Sequence, residues 1–432
     1  MSDSLKIAIA GLGTVGTGTI DLLQRRAEDI FARCGRRIEI IGISARDKSK
    51  DRGIDLGDFN WFDDPVRMSS DSGADVIIEL IGGAGVAKGV VEAAFQSGMH
   101  VVTANKALIA EHGRSLAIQA EEKNLCLAYE AAVAGGIPII KALREGLAGN
   151  RINRLYGILN GTCNYILSGM RDTGRNFSDV LAEAQELGYA ESDPSFDVDG
   201  VDAAHKLAIL ACVAFGAKLD FESVFIEGIR CMSSLDIKYA EEMGYRVKLI
   251  GIAQVHGEHM EQRVHPCLVP SNSVVASVEG VSNVVVVEGE FFGRCVLEGQ
   301  GAGRGPTASA VVSDLMDIAS GRFTPTFGLP VKLLQPLPLT SIDQRKGSYY
   351  VRLKVLDETG VMADIGAAFR DEAISMESIL QRGEDANGNV DVVIVTHNTV
   401  ESDITSALRN ILMMESVVEE PQMIRIESIG AN

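Results

Sequence analysis

A glycine pattern near the N-terminus restricts the fold of the first part of the chain. Residues 11–16 read Gly-Leu-Gly-Thr-Val-Gly and follow a short apolar run that predicts a strand; a helical pattern then continues to about Phe31. In this strand–turn–helix setting Gly11 permits a tight turn, Gly13 lets the main chain approach a pyrophosphate, and Gly16 allows close packing of the helix. We therefore expect a dinucleotide-binding turn rather than an ordinary glycine turn.

Short apolar strands alternate with helices through the rest of this region. Strands are predicted at 5–10, 38–43, 75–80 and 100–103. A helical pattern at 89–98 separates the last two. This alternation is typical of an α/β protein with a doubly wound parallel sheet. We predict a Rossmann-like domain over residues 1–135, completed by a helix at 300–320.

The character of the sequence changes after this region. Helical patterns at 178–187 and 201–216 precede β-rich runs at 273–279 and 282–288. Segregated helices and strands favour an α+β domain over a continued alternation. We predict that residues 136–320 form a substrate-binding, catalytic and dimerisation domain.

Prolines mark the border of a third domain. Four of the eleven prolines lie between Pro325 and Pro338, which predicts an extended linker at 321–345. Beyond it, strands are predicted at 349–356, 375–381, 390–396 and 423–427, with helices at 361–372 and 400–414. This βαββαβ order is ferredoxin-like, and we assign it to residues 346–432.

The charge of the chain limits its partners. With 40 basic and 59 acidic residues the net charge is −19, which excludes binders of nucleic acid or anionic membranes because these need a basic surface. The sequence has neither an apolar stretch long enough to span a bilayer nor a signal-peptide pattern. Its seven cysteines are scattered without a CxxC pair, as expected for reduced thiols in the cytoplasm.

The residues after the second predicted strand bear on the choice of coenzyme. An acidic residue at this point usually binds the ribose hydroxyls of NAD. Here the sequence is Ser44-Ala45-Arg46-Asp47-Lys48, with Arg46 nearer to the strand than any acid. A cation suits the 2′-phosphate of NADP. We predict NADP, with NAD as the alternative if Arg46 is an ordinary solvated charge.

An acidic cluster precedes an apolar helical pattern. Asp197, Asp199 and Gly200 match part of a calcium-binding loop. The same alignment puts Lys206 at the final position, where an acidic ligand is needed, so this loop type is excluded. Asp202 and Lys206 are spaced i, i+4 on one helix face. They form either a surface ion pair, the usual result of this spacing, or a catalytic pair, which the acidic loop and the apolar continuation favour.

Two further sites are weaker candidates. Lys106 follows a predicted strand end, at the edge of a parallel sheet where ligands bind, although lysines at helix starts are common. His256 and His259 flank a Gly-Glu pair. Their polar surroundings favour a loop over a metal site.

Six motifs occur in order along the chain. They read GLGTVG at 11–16, TANKALIA at 103–110, YEAAVAGGIPII at 129–140, GILNGTCNYIL at 157–167, GYAESDPSFDVDGVDAAHKLAIL at 188–210 and GAGRGPTASAVVSDL at 301–315. Together they cover nearly the whole chain and resemble homoserine dehydrogenase, the long form with a C-terminal ACT regulatory domain. The resemblance implies an NAD(P)-dependent enzyme that interconverts L-homoserine and L-aspartate 4-semialdehyde in threonine, methionine and isoleucine synthesis.

Carried onto this sequence, the resemblance implies roles for the polar residues. Lys206 would transfer the proton, with Asp202 beside the reacting oxygen, and Lys106 would lie between coenzyme and substrate. Glu191 would bind the substrate amino group, and Asp197 would be a further carboxylate around the substrate. Because Asp202 favours the charged form of Lys206, we expect Lys206 to be a poor base near neutral pH. Homoserine oxidation should then accelerate at alkaline pH, and semialdehyde reduction should not.

The resemblance also implies sites for the other ligands. Thr14 and Val15 would lie on the coenzyme pyrophosphate, and Gly303 near its nicotinamide end. A monovalent cation, sodium, would be bound by Glu130 with main-chain carbonyls of Val133, Gly135 and Ile137. L-threonine would bind as effector between two ACT domains, which implies at least a dimer: a homodimer or a homotetramer.

Two positions depart from the family pattern. Arg304 stands within the second glycine run, and Thr359 stands before Gly360, where the ACT loop usually has a proline.

Two other functions remain as alternatives. They are another NAD(P)-dependent dehydrogenase of a small amino or hydroxy acid, and a non-catalytic amino-acid sensor. The sensor would be expected to have lost Lys206 or its glycine loop, and the sequence retains both.

Overall fold

The N-terminal region is one parallel sheet with helices on both faces. In the computed structural model, which describes residues 4–57, 59–385 and 388–429, its elements are β1 (Leu5–Ala10), α1 (Thr14–Arg25), α2 (Ala27–Cys34), β2 (Ile38–Ser44), β3 (Asn60–Phe62), α3 (Pro65–Asp71), β4 (Val76–Glu79), α4 (Gly85–Gln96), β5 (His100–Thr103), α5 (Lys106–Glu122) and β6 (Leu127–Ala128). The order β3-β2-β1-β4-β5-β6 has only parallel neighbours. This is the doubly wound Rossmann-like order, so the predicted fold class is confirmed.

The glycine turn between β1 and α1 follows the prediction with one difference. Gly11 has a φ of +107°, and a Cβ there would lie 2.4 Å from the Leu80 carbonyl oxygen, so glycine is required. A Cβ on Gly16 would lie 2.0 Å from the Gly11 carbonyl oxygen, so Gly16 packs against the turn itself. The close helix–helix approach predicted from Gly16 occurs at Gly18, where a Cβ would lie 2.6 Å from the Arg304 carbonyl oxygen.

The middle region packs helices on a mixed sheet. Its elements are α6 (Ile139–Lys141), β7 (Ile152–Ile158), α7 (Gly161–Thr173), α8 (Phe177–Glu186), α9 (Ser195–Val198), α10 (Val201–Phe215), β8 (Phe225–Ile226), α11 (Ser234–Glu242), β9 (Tyr245–His256), β10 (His259–Pro270), β11 (Ser282–Gly289), β12 (Gly293–Gln300) and α12 (Arg304–Ala319). Strands β12-β11-β7-β9-β10 are neighbours in that order. The apolar helix α10 packs against β7, β9 and β10, and α12 returns to α1 in the N-terminal region.

The C-terminal region has the predicted ferredoxin-like order. Its elements are β13 (Lys346–Leu356), α13 (Val361–Asp371), β14 (Met376–Glu384), β15 (Asn389–Thr396), β16 (Thr399–Val400), α14 (Glu401–Leu412) and β17 (Gln422–Ile426). Apart from the two-residue β16, this is βαββαβ, with strand order β17-β13-β15-β14. Strand β17 also pairs in parallel with β10, where Arg425 lies opposite Cys267. The sheets of the middle and C-terminal regions are therefore continuous, which the sequence did not predict.

Buried ion pairs reinforce this junction. Arg263 Nη2 and Arg345 Nη2 lie 3.0 and 2.9 Å from Glu427 Oε1. Arg425 Nη1 donates to Glu227 Oε2 at 2.7 Å. We call these five residues the junction cluster. Because they come from both regions, they hold the last strand of the C-terminal domain against the middle sheet.

The first predicted helix is divided in the structure. It was expected to reach about Phe31, but α1 ends at Arg25 and α2 begins at Ala27. Arg26, with φ −114° and ψ 19°, leaves the helical conformation between them. An apolar periodicity that continues across such a break cannot reveal it.

Residues 273–279, predicted to be β-rich, form turns instead. Val275 and Val278 are nonetheless buried, in a cluster with residues of the sheet face such as Ile250. The valines thus belong to a segment that covers the sheet rather than to a strand within it. A short apolar run does not separate these two outcomes.

The predicted linker at 321–345 is extended but attached to the middle region. Gln335 N donates to the Gly216 carbonyl at 2.9 Å, and Lys218 N donates to the Gln335 carbonyl at 2.9 Å. Further along, Met260 N donates to the Pro338 carbonyl at 2.8 Å. The segment therefore follows a fixed path between the two regions.

Two further findings concern membrane-spanning helices and disulfide bonds. No helix in the part of the chain that the structure describes combines the length and apolar character needed to cross a membrane. All seven cysteines are free thiols.

Candidate active site

The site is built at the carboxyl ends of β4 and β5, on helix α5. Glu79 ends β4, is fully buried, and accepts hydrogen bonds from Thr103 Oγ1 at 2.6 Å and Ile81 N at 2.7 Å. Asn105 then caps the first turn of α5 with its side-chain oxygen. This local network fixes the start of α5, and with it the position of Lys106, the first helical residue.

One carboxylate joins the charged groups of the site. Asp202, in the first turn of α10, is 2% exposed. Lys106 Nζ lies 2.7 Å from Asp202 Oδ1, an ion pair rather than a well-directed hydrogen bond. Lys206 Nζ donates to Asp202 Oδ2 at 2.8 Å. Asn160 Nδ2 donates to the same oxygen and to Asp197 Oδ1, both at 2.7 Å.

The two lysines differ in their exposure and in their pKa. The Lys206 side chain is 10% exposed, and burial lowers its pKa below the usual 10.5, although Asp202 opposes the shift. The Lys106 side chain is 35% exposed; burial again favours the neutral form, but Asp202, with Asp197 and Glu191, outweighs it and raises the pKa. Neighbouring groups with pKa values shifted apart are suited to different tasks. Of the two lysines, Lys206 therefore loses its proton the more readily.

The prediction that Asp202 favours the charged form of Lys206 is confirmed, but burial, which the sequence analysis did not weigh, opposes it. Asp202 is itself charged: burial would raise its pKa, but the two ammonium groups outweigh burial and hold the pKa well below the usual value. For Lys206, however, loss of hydration and the positive charge of Lys106 prevail. The sequence could not reveal how completely this lysine is buried.

The two acidic residues expected around the substrate lie at different distances from the cluster. Asp197, in α9, is bonded directly to Asn160, and burial together with the charge of Asp202 raises its pKa. Glu191 is exposed in the loop before α9. Its charge contributes to the raised pKa of Lys106, but it makes no direct contact with the cluster in the described residues. Asp197 is thus a member of the cluster, and Glu191 lies at its border.

The residues predicted for the coenzyme surround the start of α1. Gly13 caps the helix and Thr14 begins it; both are exposed, and a Cβ on Gly13 would meet nothing within 4 Å. Val15 follows in the same turn. The first N–H groups of a helix lack intrahelical partners and can bind a phosphate. The open main chain at Gly13 therefore fits a pyrophosphate.

The second glycine run lies beside this turn. Gly303 is exposed with a φ of +120° and caps α12. A Cβ on Gly135, in the turn after β6, would lie 2.6 Å from the Gly301 carbonyl oxygen, so that turn packs closely against the second glycine run. Arg304, the departure from the family pattern, is directed towards α1 and lies 3.6 Å from Asp21 Oδ2. Its side chain therefore does not cover Gly303.

A basic loop follows β2. Arg46, the residue predicted to favour NADP, is exposed there. Arg52, which was not predicted, donates from Nε to the Leu12 carbonyl of the glycine turn at 3.3 Å. Lys48 Nζ and the Arg52 guanidinium each lie 5.7 Å from the centroid of the Trp61 ring. Arg52 thereby ties the loop that carries Arg46 and Lys48 to the glycine turn.

Glu130 is buried between β6 and α6. Its carboxylate accepts hydrogen bonds from Ile140 N at 2.9 Å and Lys141 N at 2.8 Å. Burial, with the charge of Asp314, raises the pKa of Glu130 to about 7. Both carboxylate oxygens thus already have main-chain donors, which leaves the carbonyls of the following turn as the principal ligands for a cation.

That turn has the curvature of a carbonyl-lined site. Ala134 and Gly135 have φ values of +55° and +41°. Within the described residues, no hydrogen-bond donor reaches the carbonyl oxygens of Val133 or Gly135, whereas the Ile137 carbonyl accepts from Ile139 N at 2.7 Å. Two of the predicted carbonyl ligands are therefore available, and the turn fits a monovalent cation.

The structure also shows the surroundings of the two histidines and of Thr359, which the sequence analysis singled out. His256 and His259 face each other across the β9–β10 hairpin. The described residues contain no group of three or more His, Cys, Asp or Glu side chains able to hold a metal ion. In the C-terminal domain, Thr359 is exposed beside Gly360, whose φ of +102° forms the tight loop before α13.

Comparisons with known proteins agree along the whole chain. The family model "Homoserine dehydrogenase, NAD binding domain" matches residues 11–130, the model "Homoserine dehydrogenase" matches 138–316, and the model "ACT domain" matches 349–412. Homoserine dehydrogenase of Pseudomonas aeruginosa is 45% identical over 99% of both chains. That of Neisseria gonorrhoeae is 44% identical over 98% of this chain and 99% of the relative.

Solved structures give the same result. The homoserine dehydrogenase from Thiobacillus denitrificans is 42% identical, covers 99% of both chains and superposes with a TM-score of 0.94. A hyperthermophilic archaeal homoserine dehydrogenase in complex with NADPH is 28% identical, with a TM-score of 0.64, over 75% of this chain and 99% of its own.

Proposed function

This chain belongs to the homoserine dehydrogenase family, oxidoreductases that act on a CH–OH group with a nicotinamide coenzyme, and we propose that Lys206 is the acid–base residue of its reaction. The proposal rests on one observation: Lys206 and Lys106 share Asp202 at the carboxyl edge of the parallel sheet, yet the pKa of Lys206 is lowered and that of Lys106 is raised. A base must lose its proton near the working pH. Lys206 meets this condition better than Lys106.

Lys206 has a free proton position for the substrate. Its ammonium donates to Asp202 Oδ2 and, at 2.7 Å, to the Leu159 carbonyl. An ammonium has three hydrogens, so one remains for the oxygen at C4 of the substrate. In oxidation neutral Lys206 takes the hydroxyl proton; in reduction protonated Lys206 returns a proton to the developing alkoxide. The bound coenzyme supplies or accepts the hydride.

The remaining charges orient a zwitterionic substrate. Lys106 stays protonated, so it can pair with the substrate carboxylate. Asp197 and Glu191 offer negative charge to the substrate ammonium, Asp197 from within the cluster and Glu191 from its border. Catalysis by positioning requires such fixed contacts at both ends of the substrate. The arrangement favours an amino acid over a simple hydroxy acid, and the full-length relatives make a non-catalytic sensor the less favoured alternative.

Homoserine oxidation is the direct test. The absorbance of reduced nicotinamide would be followed with purified protein, L-homoserine, and NADP or NAD at alkaline pH. Turnover with homoserine, and none with a hydroxy acid that lacks the amino group, supports the proposal. Turnover of the hydroxy acid in preference to homoserine would refute the proposed substrate.

We further propose that NADP is preferred to NAD. Arg46, Lys48 and Arg52 follow β2, where the 2′-phosphate of NADP would lie, and the archaeal relative is described in complex with NADPH. Arg46→Ala should weaken NADP binding by about 10-fold or more, because hydrogen bonds to charged groups contribute about 1.5–3 kcal/mol, and should leave NAD binding unchanged. Fluorescence of Trp61, the single tryptophan of the chain, reports the binding. Equal losses for both coenzymes would contradict the preference.

The cation site, regulation and assembly are also proposals. A sodium ion at Glu130, Val133, Gly135 and Ile137 is supported by the available carbonyls. Addition of sodium should then raise the unfolding temperature more than addition of lithium at the same ionic strength. Equal effects of the two ions would count against the site.

We propose that L-threonine binds the ACT domain, between two copies of the chain in a dimer or tetramer. The tight Gly360 loop supports this role, since it lets a ligand approach the main chain. Threonine should reduce turnover and stabilise the oligomer in sedimentation; a lack of both effects would refute the role.

We also propose the cellular setting and the domain bounds. The free cysteines support a cytoplasmic enzyme of threonine, methionine and isoleucine synthesis. Its domains would span residues 1–135, 136–320 and 346–432.

A further inference from the structure

Asn160 lies between the two carboxylates of the cluster. Its Nδ2 donates to Asp197 Oδ1 and Asp202 Oδ2, both at 2.7 Å, and its Oδ1 accepts from Cys163 N at 2.8 Å as the cap of α7. The oxygen must face the Cys163 N–H, so the orientation of the amide is fixed by its bonds. The residue is 4% exposed, which limits replacement of these bonds by water.

We propose that Asn160 is a positioning residue that keeps Asp197 and Asp202 both ionised and fixed in place. The inference builds on the proposed roles of Lys206 and Asp197. Two neighbouring carboxylates repel each other, and one of them tends to take up a proton. A neutral amide satisfies both through its two N–H groups and adds no charge. A cation at this position would further disfavour the charged form of Lys206, and a third carboxylate would favour it.

The effect of losing the amide should fall mainly on Asp197. Asp202 keeps Lys106 and Lys206 as partners, whereas Asp197 Oδ1 depends on Asn160. The other titratable groups around the pair are Lys106 on α5, Cys163 on α7, Lys206 and His205 on α10, Asp199 just after α9, and Glu191 in the loop before α9. Without the amide, Asp197 should be protonated more readily, and the substrate ammonium should bind less tightly, most of all as the pH falls.

Two substitutions separate this role from helix capping. Asn160→Ser and Asn160→Asp both retain an oxygen that can cap α7, but they remove the amide donor. Asn176→Ser is the matched control, because Asn176 caps α8 by accepting from Asp179 N at 3.1 Å. For each variant we would measure kcat and the KM for homoserine across pH, NADP binding through Trp61 fluorescence, and the unfolding temperature.

The two variants should change different quantities: the KM for homoserine in one, and the pH midpoint of kcat in the other. Asn160→Ser should raise the KM for homoserine by about 10-fold or more, and the increase should grow as the pH falls and Asp197 takes up a proton. Asn160→Asp should move the midpoint of the kcat profile for oxidation upwards by about one pH unit, since a nearby carboxylate favours charged Lys206. NADP binding should not change, and Asn176→Ser should behave as wild type.

Either of two results would overturn the inference. One is an unchanged KM and an unchanged midpoint in both folded Asn160 variants. The other is a loss of NADP binding, kcat and homoserine affinity in proportion to a lower unfolding temperature, which would indicate a purely structural role. Failure of the wild-type protein to oxidise homoserine would instead refute the proposed function, so the two failures are distinguishable.

Discussion

The candidate active site and the junction cluster both bury carboxylates among cations, but they use different cations. At the candidate site, Lys106 and Lys206 share Asp202. At the junction, Arg263 and Arg345 share Glu427. A guanidinium stays protonated at any accessible pH, whereas a buried lysine can lose its proton. The junction is therefore a fixed connection between regions, and the candidate site is a place where charge can change.

The carboxylates reflect the same difference. At the junction, burial would raise the pKa of Glu427, but Arg263 and Arg345 outweigh it and lower the pKa to about 2. At the candidate site Asp202 is likewise held ionised, while Asp197 beside it has a raised pKa and Lys206 a lowered one. The site thus combines a carboxylate that stays charged with groups whose charge can change. This combination suits proton transfer, and a structural contact does not need it.

The largest expected effect comes from removing the side chain of Lys206, the proposed acid–base residue. Lys206→Ala should reduce kcat by roughly 100-fold or more, because acid–base catalysis contributes about that much. Lys218→Ala, at an exposed position after α10, is the control and should be active. Steady-state kinetics with homoserine measure both. A change confined to KM would make Lys206 a binding residue rather than the acid–base residue.

The junction should respond in stability rather than in turnover. Glu427→Gln leaves buried arginines without their counter-charge, which should cost about 3–5 kcal/mol in the free energy of unfolding. Glu419→Gln, in a pair with Lys354 whose Glu419 side chain is 55% exposed, should cost less than about 1 kcal/mol. Denaturant unfolding compares the two. Equal small losses would mean that the junction cluster does not hold the regions together.

The same carboxylate predicts an acid limit of stability. The folded-state pKa of Glu427 is about 2, below the usual 4.5. Its contribution is therefore present above about pH 4.5 and is lost as the pH falls towards about 2. Unfolding measured across this range should lose less stability in Glu427→Gln than in wild type. An identical acid dependence in both proteins would contradict the assignment.

A smaller effect is expected from replacing Asp202, the carboxylate that Lys106 and Lys206 share. Asp202 raises the pKa of Lys206, so Asp202→Asn should lower the midpoint of the oxidation profile by about one pH unit, along with any loss of kcat. Asp199→Asn, in an exposed pair with Arg230, is the matched control and should keep the wild-type midpoint. A midpoint that moves upwards in Asp202→Asn would show that Asp202 does not favour charged Lys206.

Local patterns predicted the architecture well. The alternation of strands and helices gave the parallel sheet, and the C-terminal βαββαβ order was found as expected. The spacing of Asp202 and Lys206 gave their contact, because residues four apart share a helix face. These features depend on neighbours in the chain, which periodicity records directly.

Long-range contacts were not predictable in the same way. Asn160 meets Asp202 from a distance of 42 residues, and its only local signal is a cap position before α7. The parallel pairing of β10 with β17 joins two strands that lie far apart in the sequence. The net pKa of Lys206 depends on burial by several elements. Each of these requires the folded chain.

The central claim is that Lys206 carries the proton of the reaction with a pKa below its usual value. The most direct test is to measure kcat against pH in both directions. Oxidation should rise, and reduction should fall, through a common midpoint below 10.5, and Lys206→Arg should abolish this dependence, since arginine does not lose its proton. A flat oxidation profile between about pH 7 and about pH 10 in the wild-type protein would contradict the account.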